Sequence, residues 1–275
     1  MEIQGSIRKM TAQLQDTVQY SLPIGEMQLP LNELIGQPLR ITHEATINCV
    51  SCGKKIKKSY QQGHCYPCTQ KLASCDMCIL KPETCHYAAG TCREPQWGEE
   101  NCFREHYVYL ANSSALKVGI TRGTQIPTRW IDQGATQALP IFKVQNRLHS
   151  GLIEDALKPF IADKTNWRKM LQGEAEQQDM LEARNTLLEQ ASEALKDLSN
   201  RFDGGAYTPL NDAKTININY PVNQYPEKIK SFNLDKTPSI EGNLMGIKGQ
   251  YLIFDTGVIN LRKYAGYKLS LNTDF

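Results

Sequence analysis

The 275-residue chain has no run of about 18 apolar residues, so the sequence offers no helix to span a membrane. Met1 to Gln15 mixes polar and apolar residues and contains no apolar core of the length a signal peptide needs. Charge of one sign is not in excess either. The 31 lysines and arginines nearly balance 29 aspartates and glutamates, which excludes a uniformly basic or acidic surface. There are no internal repeats and no low-complexity tracts. Cysteine is absent from both ends of the chain, and all nine cysteines fall between Cys49 and Cys102. A disulfide-stapled protein would spread them. The expected compartment is the cytosol, where thiols stay reduced and paired Cys-x-x-Cys knuckles hold metal.

The charge that is present is unevenly placed. Residues 107–172 carry nine basic and four acidic side chains, whereas residues 173–205 carry three basic and eight acidic ones. Patterning divides the chain into five segments. Residues 1–47 read as short strands, including Ile3 to Met10, Val18 to Leu22 and Pro38 to Thr42, separated by Pro and Gly. Residues 48–106 contain the cysteines with little periodicity, so metal must organise them. Residues 107–172 give strands at 107–112, 116–121 and 140–145. A helix opens at Pro127, and a second follows Ser150 with Leu152, Ile153, Ala156, Leu157 and Phe160 on one face. Residues 173–205 read as one long acidic amphipathic helix, roughly Ala175 to Phe202. Residues 206–275 are again β-like, and the two terminal segments are expected to share a small β domain. The fold class is α+β: a zinc-ribbon-like region, a β-β-α-β-α module, an acidic helix and terminal β segments.

Cys49-x-x-Cys52 followed by Cys65-x-x-Cys68 is the strongest motif. Two knuckles on a hairpin point four sulfurs at one centre, which suits tetrahedral zinc. Lys54, Lys55, Lys57 and Lys58 lie between the knuckles, either offsetting the charge of the thiolates or meeting phosphate. A second structural zinc is assigned to Cys75, Cys78, Cys85 and Cys92. Here the ligand set has alternatives: His86 could replace Cys85, and Cys102 with His106 could displace the later pair. Spacing alone also admits an iron–sulfur cluster on four cysteines.

Tyr107-Val108-Tyr109, Lys117-Val118-Gly119, Arg129 and Glu154, in a strand–strand–helix–strand–helix order, resemble the GIY-YIG nuclease superfamily over about a fifth of the chain. The whole sequence also resembles an uncharacterised bacterial family with a zinc-ribbon front half. Three positions depart from the nuclease pattern. Lys117 stands where those enzymes usually have tyrosine, Tyr107 replaces the first glycine, and Arg129 lies about two residues further along. The resemblance implies that Glu154 holds Mg2+, Arg129 binds the scissile phosphate, and Tyr109 orients or deprotonates the attacking water. The net positive charge of this segment is what a phosphate-binding face requires. The plain alternative makes Tyr109 and Val118 core residues and pairs Arg129 with Glu154. Trp130 and Trp167 are expected to pack the helices, and His149 to be an exposed loop residue. Lys248, Tyr251, Arg262, Lys263, Tyr264, Tyr267 and Lys268 mix basic and aromatic side chains as a single-strand-binding face would, but half-buried strands with snorkelling lysines look the same.

Three functions are therefore carried forward. They are a zinc-containing, Mg2+-dependent endonuclease acting on DNA or RNA, a non-catalytic nucleic-acid-binding module on the same fold, and a zinc-ribbon adaptor for a protein partner.

Overall fold

The computed structural model describes residues 2–161, 164–202, 205 and 207–273. They form a mixed α+β architecture with three antiparallel sheets. The largest joins the two ends of the chain. Glu2–Ser6 pairs with Tyr267–Asn272, which pairs with Pro38–Asn48, and the sheet continues through Ser239–Lys248, Tyr251–Phe254 and Gly257–Asn260. Alternation sets this register: Leu39 and Ile41 on one strand, and Leu269 and Leu271 on its neighbour, are buried in one core. A small sheet of Thr11–Gln13, Gln19–Ile24 and Met27–Pro30 adds Tyr20, Leu22 and Ile24 to that core.

The second sheet carries the candidate site. His106–Asn112 lies between Leu116–Arg122 and Gln137–Val144, with two short segments, Thr208–Pro209 and Ile216–Asn217, along the outer edge of the last. Its central strand is covered on both faces. Tyr109 and Ala111 enter the core shared with the large sheet, whereas Val108 and Leu110 enter a second core with Ile153, Leu157, Leu187 and Leu195. That sandwiching makes the strand continuously apolar. Thr128–Asp132 forms the first module helix and Arg147–Leu157 the second. The second helix starts before Ser150 because the Asn146 side chain accepts the His149 backbone N–H and caps it.

Two readings from the sequence are corrected here. The acidic segment is two helices, Met180–Gln190 and Ser192–Ser199, parted at Ala191 where ψ swings to 5°. Its start is fixed by Asp179, whose carboxylate accepts the backbone N–H groups of Leu181 and Glu182. Met180, Leu187, Leu195 and Leu198 are buried against the module, so this segment is an ordinary packed amphipathic layer. His149 is not a loop residue: it sits half-buried on the helix with its ring 4.4 Å from that of Phe202, and burial pushes its pKa down. The basic–aromatic C-terminal mixture is largely internal, since Lys248, Tyr264 and Tyr267 are buried. Lys248 donates to the Gly173 carbonyl and lies near the Tyr220 and Tyr225 rings. Trp130 is buried and Trp167 stacks on Tyr251.

His106 gives the fold a pH dependence. It is fully buried, its Nδ1 donates to the Arg104 carbonyl at 2.8 Å, and Nε2 has no partner among the described residues. Burial chiefly lowers its pKa from 6.5 to about 4. The fold therefore favours the neutral ring. The associated stability is complete above pH 6.5 and is lost as pH falls towards 4, for a total of about 3 kcal/mol. Urea unfolding of the wild type and His106→Gln at pH 7 and pH 4 is expected to show the wild type losing more by that amount. Parallel pH profiles would exclude the effect.

Candidate functional site

Two cysteine-bearing regions and one cleft bring together the chemically capable side chains. The first region is built on the end of the long strand Pro38–Asn48. There Cys49 and Cys52 form one knuckle, and Cys65 and Cys68 supply the other at the start of the helix Tyr66–Lys71. Gly53, at φ +71°, permits the tight return, and its N–H donates to the Cys49 carbonyl. The four sulfurs all lie within 4.8 Å of one another, and Cys52 Sγ is 3.8 Å from Cys65 Sγ. A zinc–sulfur bond of about 2.3 Å sets a tetrahedral edge of about 3.8 Å, so the arrangement fits zinc. Burial pushes the Cys49 thiol up, but the backbone N–H groups of Cys52, Cys65 and Ser51 more than offset this and bring it down to about 6. That prepares a thiolate for a cation. The four lysines between the knuckles are exposed.

The second region divides the sequence-assigned ligands. Cys78, Cys85 and Cys92 line one small cavity together with Cys102, while Cys75 does not line it. Cys75 is buried nearby, and its carbonyl accepts from Gln61 of the first region. Asp76, Cys78 and His86 form a compact group, but the Arg93 guanidinium already meets Asp76 at 2.6 Å. That makes it a weaker cation site than the four-cysteine cluster. Burial, then Asp76 and the neighbouring cysteines, pushes the Cys78 thiol up to about 11. A bound cation would reverse that preference.

The cleft, of about 370 Å³, opens beside the module sheet and is lined by Arg122, Arg129, Arg147, Arg262, Glu154 and Gly119. These residues come from distant parts of the chain. Arg122 ends a strand, Arg129 is on the first module helix, Arg147 and Glu154 are on the second, and Arg262 follows the strand Gly257–Asn260. Lys9 and Asp132 also line the cleft. Asp132 is held by Lys9 at 2.8 Å and by the Gln250 amide at 2.8 Å, with Arg262 at 3.8 Å. Burial chiefly lowers the Arg147 pKa, and the like charges of Arg122 and Arg129 add to that effect. Arg262 is likewise lowered, first by burial, with Arg129 contributing. The guanidinium groups thus repel one another across the opening, a cost that a bound anion would remove.

Tyr109 lies buried beneath the lining, against Gly119. Its hydroxyl donates to Gln133 Oε1 at 3.0 Å and interacts with Arg129, and burial pushes its pKa up. It is therefore a hydrogen-bonding phenol at neutral pH rather than a base. Gly119 explains itself here: a Cβ would lie 2.8 Å from the Tyr109 ring and hydroxyl, so only glycine lets the strand pack over the buried phenol. Of the four residues the sequence singled out, Arg129 and Glu154 line the cleft and Tyr109 lies beneath it. Lys117 is buried on the same strand as Gly119 but does not line the cleft, and its Nζ donates to Thr165 Oγ1 at 2.6 Å.

Cleft and cysteine regions are physically joined. Arg262 Nε donates to Gln62, in the loop between the two cysteine knuckles, at 2.6 Å. Arg147 donates through its side chain to the Ile79 carbonyl and through its backbone to the Cys102 carbonyl. Gly151 lets the second module helix approach Pro82 and Glu83, which a Cβ there would meet at 2.5 and 2.8 Å. Sequence reasoning missed Arg122 and Arg147 as parts of these sites, placed Arg262 only in the basic–aromatic C-terminal mixture, and gave Cys102 only as an alternative ligand. Only Arg122 had a local signal, since it directly follows the Lys-Val-Gly-Ile-Thr run.

The chain belongs to the family described as Protein of unknown function (DUF2797), whose match covers residues 36–269. No curated protein and no solved structure matches it. Among the described residues, no helix is long and apolar enough to cross a membrane.

Proposed function

We propose that this protein binds nucleic acid in the arginine-lined cleft and hydrolyses a phosphodiester there with Mg2+, on a GIY-YIG-like module braced by zinc. The observation that carries this reading is the convergence of Arg122, Arg129, Arg147 and Arg262 around Glu154 in one open cleft. A phosphodiester brings the negative charge that such a group of guanidiniums is arranged to receive. Arg129 would bind the scissile phosphate and Glu154 would hold the metal. Mg2+, when bound, would polarise the phosphoryl oxygen and lower the pKa of its water. The Tyr109 hydroxyl, buried beneath the lining and bonded to Gln133 and Arg129, would hold the Arg129 guanidinium in position. Lys117 holds Thr165, and so fixes the loop beside the module.

The position of Lys117 favours a second reading, in which the module binds nucleic acid without cutting it. The residue at the second motif of this chain is occupied with Thr165 rather than with the cleft. Binding and cleavage assays with single-stranded and duplex DNA and RNA, with and without Mg2+, separate the two. Arg129→Ala is expected to lower the slope of log affinity against log salt by about 1. An unchanged slope would remove Arg129 from the phosphate site, and salt-dependent binding without cleavage would leave the second reading.

A further inference from the structure

The structure assigns Cys78, Cys85, Cys92 and Cys102 as one four-thiolate site, and we propose that it holds an iron–sulfur cluster rather than a second zinc. This proposal is independent of what the cleft does.

The four side chains reach one cavity from four separate backbone turns. Cys78 lies on the turn Met77–Ile79, Cys85 just after Pro82–Thr84, Cys92 after Tyr87–Ala89, and Cys102 at the end of the helix Pro95–Asn101. That helix is what returns the chain to the cavity after Cys92. The rest of the wall is mainly apolar, including Ile79, Tyr87, Trp97 and Phe103. None of the four cysteines is in a disulfide.

Sulfur spacing distinguishes this site from the first. A single zinc ion draws its thiolates to about 3.8 Å, and the sulfurs of Cys49, Cys52, Cys65 and Cys68 already lie within 4.8 Å of one another. Cys85, Cys92 and Cys102 belong to no such tight group, yet all three line the same cavity as Cys78. The cavity they share has room of about 20 Å³, enough to admit an occupant between the thiols. Four thiols that share one mainly apolar cavity without being drawn to the spacing of a single ion are a ligand set that an iron–sulfur cluster takes. The compact Asp76–Cys78–His86 group does not compete well, because Arg93 already neutralises Asp76. Cys75 is excluded by position.

The full-length chain is purified without oxygen after co-expression with iron–sulfur assembly proteins, and a portion is reconstituted with ferrous iron and sulfide. The expected result is one zinc with about four iron and matching sulfide per chain, and a broad visible absorbance that bleaches on reduction. Cys92→Ser and Cys102→Ser are each expected to lose iron and absorbance while keeping one zinc, which reports that the first site remains folded. Cys75→Ser is expected to keep both metals. Two zinc ions per chain with no iron after reconstitution would overturn the proposal. So would iron retained in full by Cys102→Ser, or lost only in Cys75→Ser.

Discussion

Glu154→Gln is expected to reduce Mg2+-dependent cleavage by about 10²–10³-fold or more while leaving nucleic-acid affinity within about twofold. The two halves of this expectation have different causes. Affinity is set by cationic groups meeting phosphate, and the glutamine changes none of the four arginines. It does remove the carboxylate that would hold the metal, and with it the charge stabilisation of the transition state. The substitution is nearly isosteric, so the second module helix, anchored by Ile153 and Leu157 in the core, should keep its place. Circular dichroism and thermal melting provide the control for folding. Equal loss of binding and cleavage would instead assign Glu154 to holding the arginines in position.

The second large effect concerns zinc. Cys49→Ser is expected to release one zinc per chain, read by native mass spectrometry, and to lower the Tm by roughly 10 °C, corresponding to about 4 kcal/mol. Zinc binding in small peptides is worth about 10–16 kcal/mol, but residues 49–72 contribute little to the main core, so only part of that energy should be felt globally. The loss should nevertheless travel. Val50 holds the backbone of Gly63 and accepts from Arg8, and Gln62 steadies Arg262 at the cleft. Weaker nucleic-acid binding should therefore accompany zinc loss. A variant that keeps its full zinc content would show that Cys49 is not a ligand.

Much of the module was legible because its signals are local. The alternation of Val108, Tyr109, Leu110 and Ala111 and the spacing of Ile153 and Leu157 declare a strand and a helix within a few residues. The four-cysteine cluster was legible for a related reason. Cys-x-x-Cys is a complete local geometry, and repeating it leaves few arrangements. What the sequence hid is long-range. Cys102 follows Cys92 by a spacing with no meaning until the helix Pro95–Asn101 folds the chain back, whereas Cys75, which completes an attractive Cys-x-x-Cys with Cys78, does not line their cavity. Arg262 reaches the cleft only because the C-terminal strands pair with the N-terminal ones. The break at Ala191 was invisible because the apolar spacing continues through it.

A crystal of the Glu154→Gln protein soaked with Mg2+ and a short oligonucleotide tests the central claim most directly. The account predicts a backbone phosphate within hydrogen-bonding distance of the Arg129 guanidinium, above Tyr109 and between the remaining arginines. An oligonucleotide bound on another face, with the cleft left to solvent, would contradict it.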